Sequence, residues 1–200
     1  MTEPPRTETW VYLDTSVLIH MEHALTGEWI PPPDPEGVDR LWLAATRLRF
    51  YGYSDHNGWY LVTSGEARRE LTVKTNYDWS VGQFLDIDEL VDRPPEGDIA
   101  RVASDLSQVV GLKLADARHV ARAVLYEPIG VFVTADMRTI LRRVRNAVQD
   151  DRWRPPQRLR LLSSLEAEPE LKMQPGKLSP IMPHPTNPLA DTEPWWIPAS

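Results

Sequence analysis

The sequence contains no cysteine, which excludes disulfides and thiolate-ligated metal sites and is compatible with a reducing cytoplasm. No apolar run approaches the ~20 residues needed to cross a bilayer, so no membrane association is expected. The opening stretch MTEPPRTETW has no basic start followed by an apolar segment; no signal peptide is expected, and the expected location is cytoplasmic. An excess of positive charge is also missing. The net charge is -7 and the pI about 5.3, which argues against general, charge-driven binding to nucleic acid. Nucleic acid stays open as a substrate, because bound divalent cations reverse the local sign. No internal repeat is found.

What is present fits one globular domain with appendages. The chain has 200 residues, 42% hydrophobic and 26% charged, enough to bury a real core. The basic residues it has are concentrated late. Segment 138–160 carries eight arginines against only Asp150 and Asp151.

Hydrophobic patterning gives an alternation of strands and helices. WVYLD reads as a strand and SVLIHMEHAL as a helix. The proline-rich GEWIPPPDPEG that follows cannot be regular helix or central strand. VDRLWLAATRLRF puts Val38, Leu41, Trp42, Ala45, Leu48 and Phe50 on one helical face. WYLVTS reads as a strand, GEARRELTV as a helix with Ser64 its N-cap, and residues 79–98 stay ambiguous. DIARVASDLSQVV is a helix ended by Gly111, and LADARHVARAVL another; IGVFVTAD is a strand, MRTILRRVRNAV a helix and RLRLLS a last strand. Such alternation implies a three-layer α/β/α sandwich around a mainly parallel sheet. The expected division is a domain over 1–165 and a proline-rich tail over 166–200, docked on the domain or on a partner through residues such as Trp195 and Trp196.

In open α/β sheets, sites form outside the carboxyl ends of the strands. Asp14 ends the first strand, and Asp136 ends VFVTAD with Thr134 two residues before it. Glu70 follows LVTS by nearly two helical turns, and Asp116 lies in the first turn of its helix. On that helix Leu114, Ala117, Val120, Ala121 and Val124 form the expected buried stripe, with Asp116 at its margin. Taken singly, each acid has an ordinary reading. Asp14 and Asp136 suit helix caps, Asp116 suits a helix dipole, and Glu70 suits a solvated pair with Arg68 or Arg69. Taken together, four carboxylates without thiols make a hard-ligand site suited to Mg²⁺ or Mn²⁺. Close carboxylates repel, so such a cluster is stable only with cations.

YLDTSVLI, VTSGEARREL, DARHVARAV and VFVTAD, in that order and spacing, resemble the successive motifs of PIN-domain ribonucleases, over roughly residues 10–163. The resemblance implies that Asp14, Glu70, Asp116 and Asp136 are the catalytic and metal-holding acids, with Ser16 and Thr134 as supporting hydroxyls. It further implies Mg²⁺- or Mn²⁺-dependent endonucleolytic cleavage of RNA, leaving a 3′-hydroxyl and a 5′-phosphate. Many bacterial members are VapC-like toxins paired with an antitoxin, and many are homodimers. An antitoxin partner and a homodimer are therefore expected here. Glu66 rivals Glu70, which is preferred because it precedes an apolar residue six positions after Ser64. Arg138 and Arg142 are candidate phosphate contacts, against a reading as a solvated face. The insertion at 26–37 and the tail depart from the compact toxins of the family.

Other chemistries fit less well. An aspartyl-phosphate phosphatase wants an acid where Ser16 stands, and a D-x-S-x-S metal site wants a hydroxyl where Leu18 stands. His20 and His23 share a helical face but lack further zinc ligands, and His119 reads as a surface histidine. Tryptophans such as Trp59 and Trp153 read as core or docking residues more than as base-stacking platforms. The remaining alternatives are a catalytically silent PIN-fold interaction module and a structure-specific DNA nuclease.

Overall fold

Strand β1, Thr9–Leu13, occupies the middle of a five-stranded sheet in which every pairing is parallel. The computed structural model describes residues 9–26, 44, 45, 48, 59–75 and 84–172. The proline-rich insertion after Thr26, most of the helix expected at 38–50, and the tail beyond residue 172 lie outside the described residues. Of that expected helix, Ala44, Ala45 and Leu48 are described, helical and buried.

The other strands are β2 (Trp59–Thr63), β3 (Leu85–Asp86), β4 (Ile129–Thr134) and β5 (Arg160–Ser163), in the spatial order β3-β2-β1-β4-β5. The helices are α1 (Thr15–Thr26), α2 (Gly65–Thr75), α3 (Glu96–Val109), α4 (Leu114–Leu125), α5 (Arg142–Gln149) and α6 (Ser164–Lys172). Among the described residues no helix is long and apolar enough to cross a membrane.

Strand side chains alternate between the two faces, and each face has its own core. Tyr12, Val62 and Phe132 pack with Ile99, Ala103 and Leu106 of α3 and Val120 of α4. Val11, Leu13, Leu61, Val131 and Val133 pack instead with Val17 and Leu18 of α1, Leu71 of α2 and Leu171 of α6. Helices thus cover both faces, an arrangement compatible with a three-layer α/β/α sandwich. Covering on both sides explains why the central strands read as nearly continuous apolar runs.

The helix signals are realised in detail. Ser64 Oγ accepts the Ala67 N–H at 3.2 Å, the expected N-cap of α2. Gly111, at φ +80°, follows α3 in the left-handed conformation that suits the residue after a helix end.

The expected stripe of α4 needs correcting. Leu114 is 57% exposed, whereas His119, Arg122 and Ala123 of α4 are buried. The ambiguous stretch holds β3 and a 3₁₀ turn at Ile87–Glu89. Past residue 165, α6 buries Ala167 and Leu171 despite Pro169. A reciprocal cap starts α6. Ser163 Oγ accepts the Glu166 N–H at 3.2 Å, while the Glu166 carboxylate accepts the Ser163 N–H at 2.8 Å.

A buried arginine ties α4 to the loops beyond β2 and β3. Arg122, 2% exposed, donates from Nε to Asp88 at 3.0 Å and from Nη1 to Glu66 at 2.5 Å. Asp88 also accepts the Gly65 N–H, and Arg118 donates from Nε to both Glu66 oxygens. Burial pushes the Glu66 carboxyl up, but the hydrogen bonds of Arg118 and the Arg122 charge outweigh it, so its pKa lies below the ordinary value. Such a group contributes stability above its ordinary pKa and loses it as the pH falls through the depressed one. Denaturant titrations should therefore show a decline on acidification to which Glu66 contributes, and Glu66→Gln should flatten part of the slope. Arg122→Met, which takes the buried partner from two carboxylates, should lose about 3 kcal/mol at neutral pH. A stability unchanged in Arg122→Met contradicts this account of the clamp.

Candidate functional site

The strand order reverses beside β1. From β1 the chain moves outward through β2 to β3, then returns to place β4 on the other edge of β1. The crevice at such a switch point, outside the carboxyl ends, is where open α/β sheets bind ligands. Asp14 and Asp136 follow the two strands that flank it.

Asp14 is 4% exposed and is held through its N–H, its carbonyl and one carboxylate oxygen. Its N–H continues the β1–β4 ladder by donating to the Val133 carbonyl at 3.0 Å. Its carbonyl accepts the N–H groups of Val17 and Leu18, which opens α1. Its Oδ2 accepts the Ser16 hydroxyl at 2.6 Å and the Thr134 hydroxyl at 2.8 Å. Each hydroxyl accepts in turn, Ser16 from the Ala135 N–H and Thr134 from the Asp136 N–H, both at 3.0 Å. Ser16 and Thr134, expected as supporting groups, therefore both grip Asp14.

Asp136 realises its cap reading. Its Oδ1 accepts the Thr139 N–H at 2.7 Å and opens a single π turn, Met137–Leu141, ahead of α5. Asp116 is half-buried in the first turn of α4. Burial pushes its carboxyl up, and the negative charges of Asp14 and Asp136 push it further. The charges of Asp14 and Asp136 thus reach Asp116 across the crevice. The repulsion is the kind a cation relieves, and carboxylate and hydroxyl oxygens suit a hard divalent ion.

Glu70 approaches from α2. Its Oε2 accepts the Thr15 hydroxyl at 2.7 Å and lies 3.5 Å from His119 Nε2. Glu66 points elsewhere, into Arg118 and Arg122. His119 is 1% exposed, not a surface histidine. Burial disfavours its charged form, but the hydrogen bond with Glu70 and the charges of Asp14, Glu70 and Glu66 outweigh this, so its pKa is raised. The three-residue spacing from Asp116 was the available sequence signal for His119, since it sets both on adjoining faces of α4.

The donor chemistry fits a divalent cation better than the present arrangement does. Among the described residues no three histidines or acids are arranged to hold a metal ion. Asp136 spends one oxygen on its cap, and Glu70 is turned to Thr15 and His119.

The arginine strip is mostly structural. Arg158 donates to the carbonyls of Ala123, Val124 and Ile129, which closes the α4–β4 turn. Arg145 pairs with Glu166, Arg152 with Asp150, Arg154 with Asp151, and Arg160 with Glu170. Arg138 and Arg142 stay exposed, four residues apart and just beyond Asp136. Trp153 packs against the core.

Comparison with family models, with curated proteins and with solved structures finds no match.

A carboxyl group raised on folding favours the native state below its ordinary pKa, and that advantage is lost as the pH rises through the raised value. Ionised Asp116 therefore burdens the metal-free protein at neutral pH. With EDTA present, Asp116→Asn should melt a few degrees above wild type, as a gain near 1 kcal/mol gives for a chain of this size. A lower melting point in a well-folded Asp116→Asn protein means that the aspartate does not carry the expected repulsion.

Proposed function

We propose that this chain is a metal-dependent endoribonuclease of the PIN-domain kind, with Asp14, Glu70, Asp116 and Asp136 as its metal-holding acids. One observation carries the reading: Asp14 and Asp136 follow the two neighbouring strands at the switch point of a parallel sheet, where their charges, with burial, also raise the Asp116 carboxyl. Its support from sequence is the four motifs that resemble the PIN family.

In this reading Asp14, Asp116 and Asp136 would hold Mg²⁺ or Mn²⁺, and Glu70 completes the set from α2. Bound there, the ion supplies positive charge and Lewis acidity at a scissile phosphodiester. The chain's own contribution is placement. Ser16 and Thr134 both occupy Asp14 Oδ2, which fixes the plane of that carboxylate. Arg138 and Arg142 offer guanidinium donors to neighbouring phosphates of an RNA strand. Glu66 is excluded from the set because Arg118 and Arg122 consume it.

A catalytically silent PIN-fold interaction module is the second reading. It is favoured by the observation that no three described acids or histidines stand in a metal-holding arrangement.

The two readings separate on cleavage of labelled RNA and matched DNA in Mn²⁺, Mg²⁺ or EDTA. The nuclease reading expects metal-dependent RNA cleavage. Asp14→Asn and Glu70→Gln should lose about 100-fold or more of the rate, the scale of removing one electrostatic contact to a transition state. Glu66→Gln should keep most of it. Cleavage of DNA in place of RNA retains the site and changes the substrate. No cleavage, together with no metal binding by calorimetry, establishes the silent module.

A further inference from the structure

One set of buried polar groups beside the acids has no part in the proposed chemistry, and it forms a continuous hydrogen-bonded path. The Ala67 N–H donates to Ser64 Oγ at 3.2 Å, and Ser64 Oγ lies 2.8 Å from Tyr12 Oη. Tyr12 Oη in turn lies 2.8 Å from His119 Nδ1. Across the ring, Nε2 stands 3.4 Å from Thr15 Oγ1 and 3.5 Å from Glu70 Oε2. Thr15 closes the path by donating its hydroxyl to that same Oε2 at 2.7 Å. Tyr12 and Ser64 have no exposed surface, and His119 and Thr15 almost none. Buried polar groups are expensive to leave unpaired, so each member of the path is committed to its neighbours.

We propose that His119 is a positioning residue for Glu70: gripped at Nδ1 by Tyr12, it directs Nε2–H at the Thr15–Glu70 pair and fixes the aim of that carboxylate. The donor count requires this direction. Thr15 has one hydroxyl proton, and it goes to Glu70, so Thr15 can only accept from the ring. The Glu70 carboxylate only accepts as well. Nε2 therefore carries a proton whatever the state of Nδ1. The Tyr12 hydroxyl is a fixed anchor because its ring stacks on Phe132, with centroids 5.5 Å apart and planes 10° from parallel. Outer groups that orient a metal-holding side chain typically change affinity 10–100-fold when removed. The inference rests on the reading of Glu70 as one of the metal-holding acids.

The test uses the full chain as wild type, Tyr12→Phe, His119→Leu and His119→Gln. Tyr12→Phe removes one hydroxyl and keeps the stacked ring, while His119→Gln keeps a donor and an acceptor. Long-range ¹H–¹⁵N NMR of the metal-free wild type should show a proton on His119 Nε2. Crystals grown with EDTA should show the Glu70 carboxylate displaced in Tyr12→Phe and in His119→Leu, and restored in His119→Gln. Mn²⁺ affinity by calorimetry should fall about tenfold or more in His119→Leu and recover in His119→Gln. A bare Nε2, or a Glu70 carboxylate unmoved in Tyr12→Phe and His119→Leu, overturns the proposal. Equal Mn²⁺ affinity in wild type and both of these variants overturns it too, and leaves the metal site standing. If wild type binds no Mn²⁺, the metal reading fails, and the NMR and crystal readouts still decide whether His119 positions Glu70.

Discussion

A strand hydrogen-bonded on both edges and covered on both faces meets no water until it ends, and β1 is such a strand. Residues 11 to 15 are all buried. Every polar atom at its carboxyl end must then find a partner inside the protein. Asp14 answers this demand with its backbone, which continues the ladder to β4 and opens α1, while two hydroxyls receive its side chain. The acids, the hydroxyls and the histidine all take their places from that ending.

The same solution recurs along the edge of the sheet. β2 ends in Thr63, followed by Ser64, β4 in Thr134 and β5 in Ser163, all of them buried. Small hydroxyl residues suit this edge because each both donates and accepts, so one side chain satisfies a carboxylate and a backbone N–H together. Ser16 and Thr134 do this for Asp14. Ser64 does it for α2 and Tyr12. The hydroxyls are thus the packing that allows charge to sit at the rim of a core.

Much of this was legible in the sequence, and the losses have physical causes. α4 spans the twelve residues that periodicity assigned to it, and β1, β2 and β4 end where the polar residues begin. β3 was not legible because two residues carry no period. α6 was hidden by Pro169, although the Ser163 and Glu166 spacing of its cap was there to be read. His119 was misjudged, and Arg122 passed over, for a different reason. Charged and polar residues are exposed by default, and only partners distant in sequence, Tyr12 for one and Glu66 and Asp88 for the other, make their burial tolerable. The pairings of the arginines of 138–160 were not legible for the same reason, since several are tied to backbone carbonyls or acids that sequence does not bring near. The acids themselves are named by motif alone. That Glu66 is spent on Arg118 and Arg122 has no sequence signal, since those arginines lie more than fifty residues away.

Helix α4 carries Asp116, His119 and Arg122 at three-residue intervals, each serving a different cluster. Inserting or deleting one residue upstream of them would turn the helix by about 100° and misdirect all three together. The link between Gly111 and the first turn of α4 is consequently a phase setting as well as a connection. Surface loops elsewhere can drift in length with little effect on what they join. This short one is denied that freedom, because its length decides which way charge points at both ends of the helix.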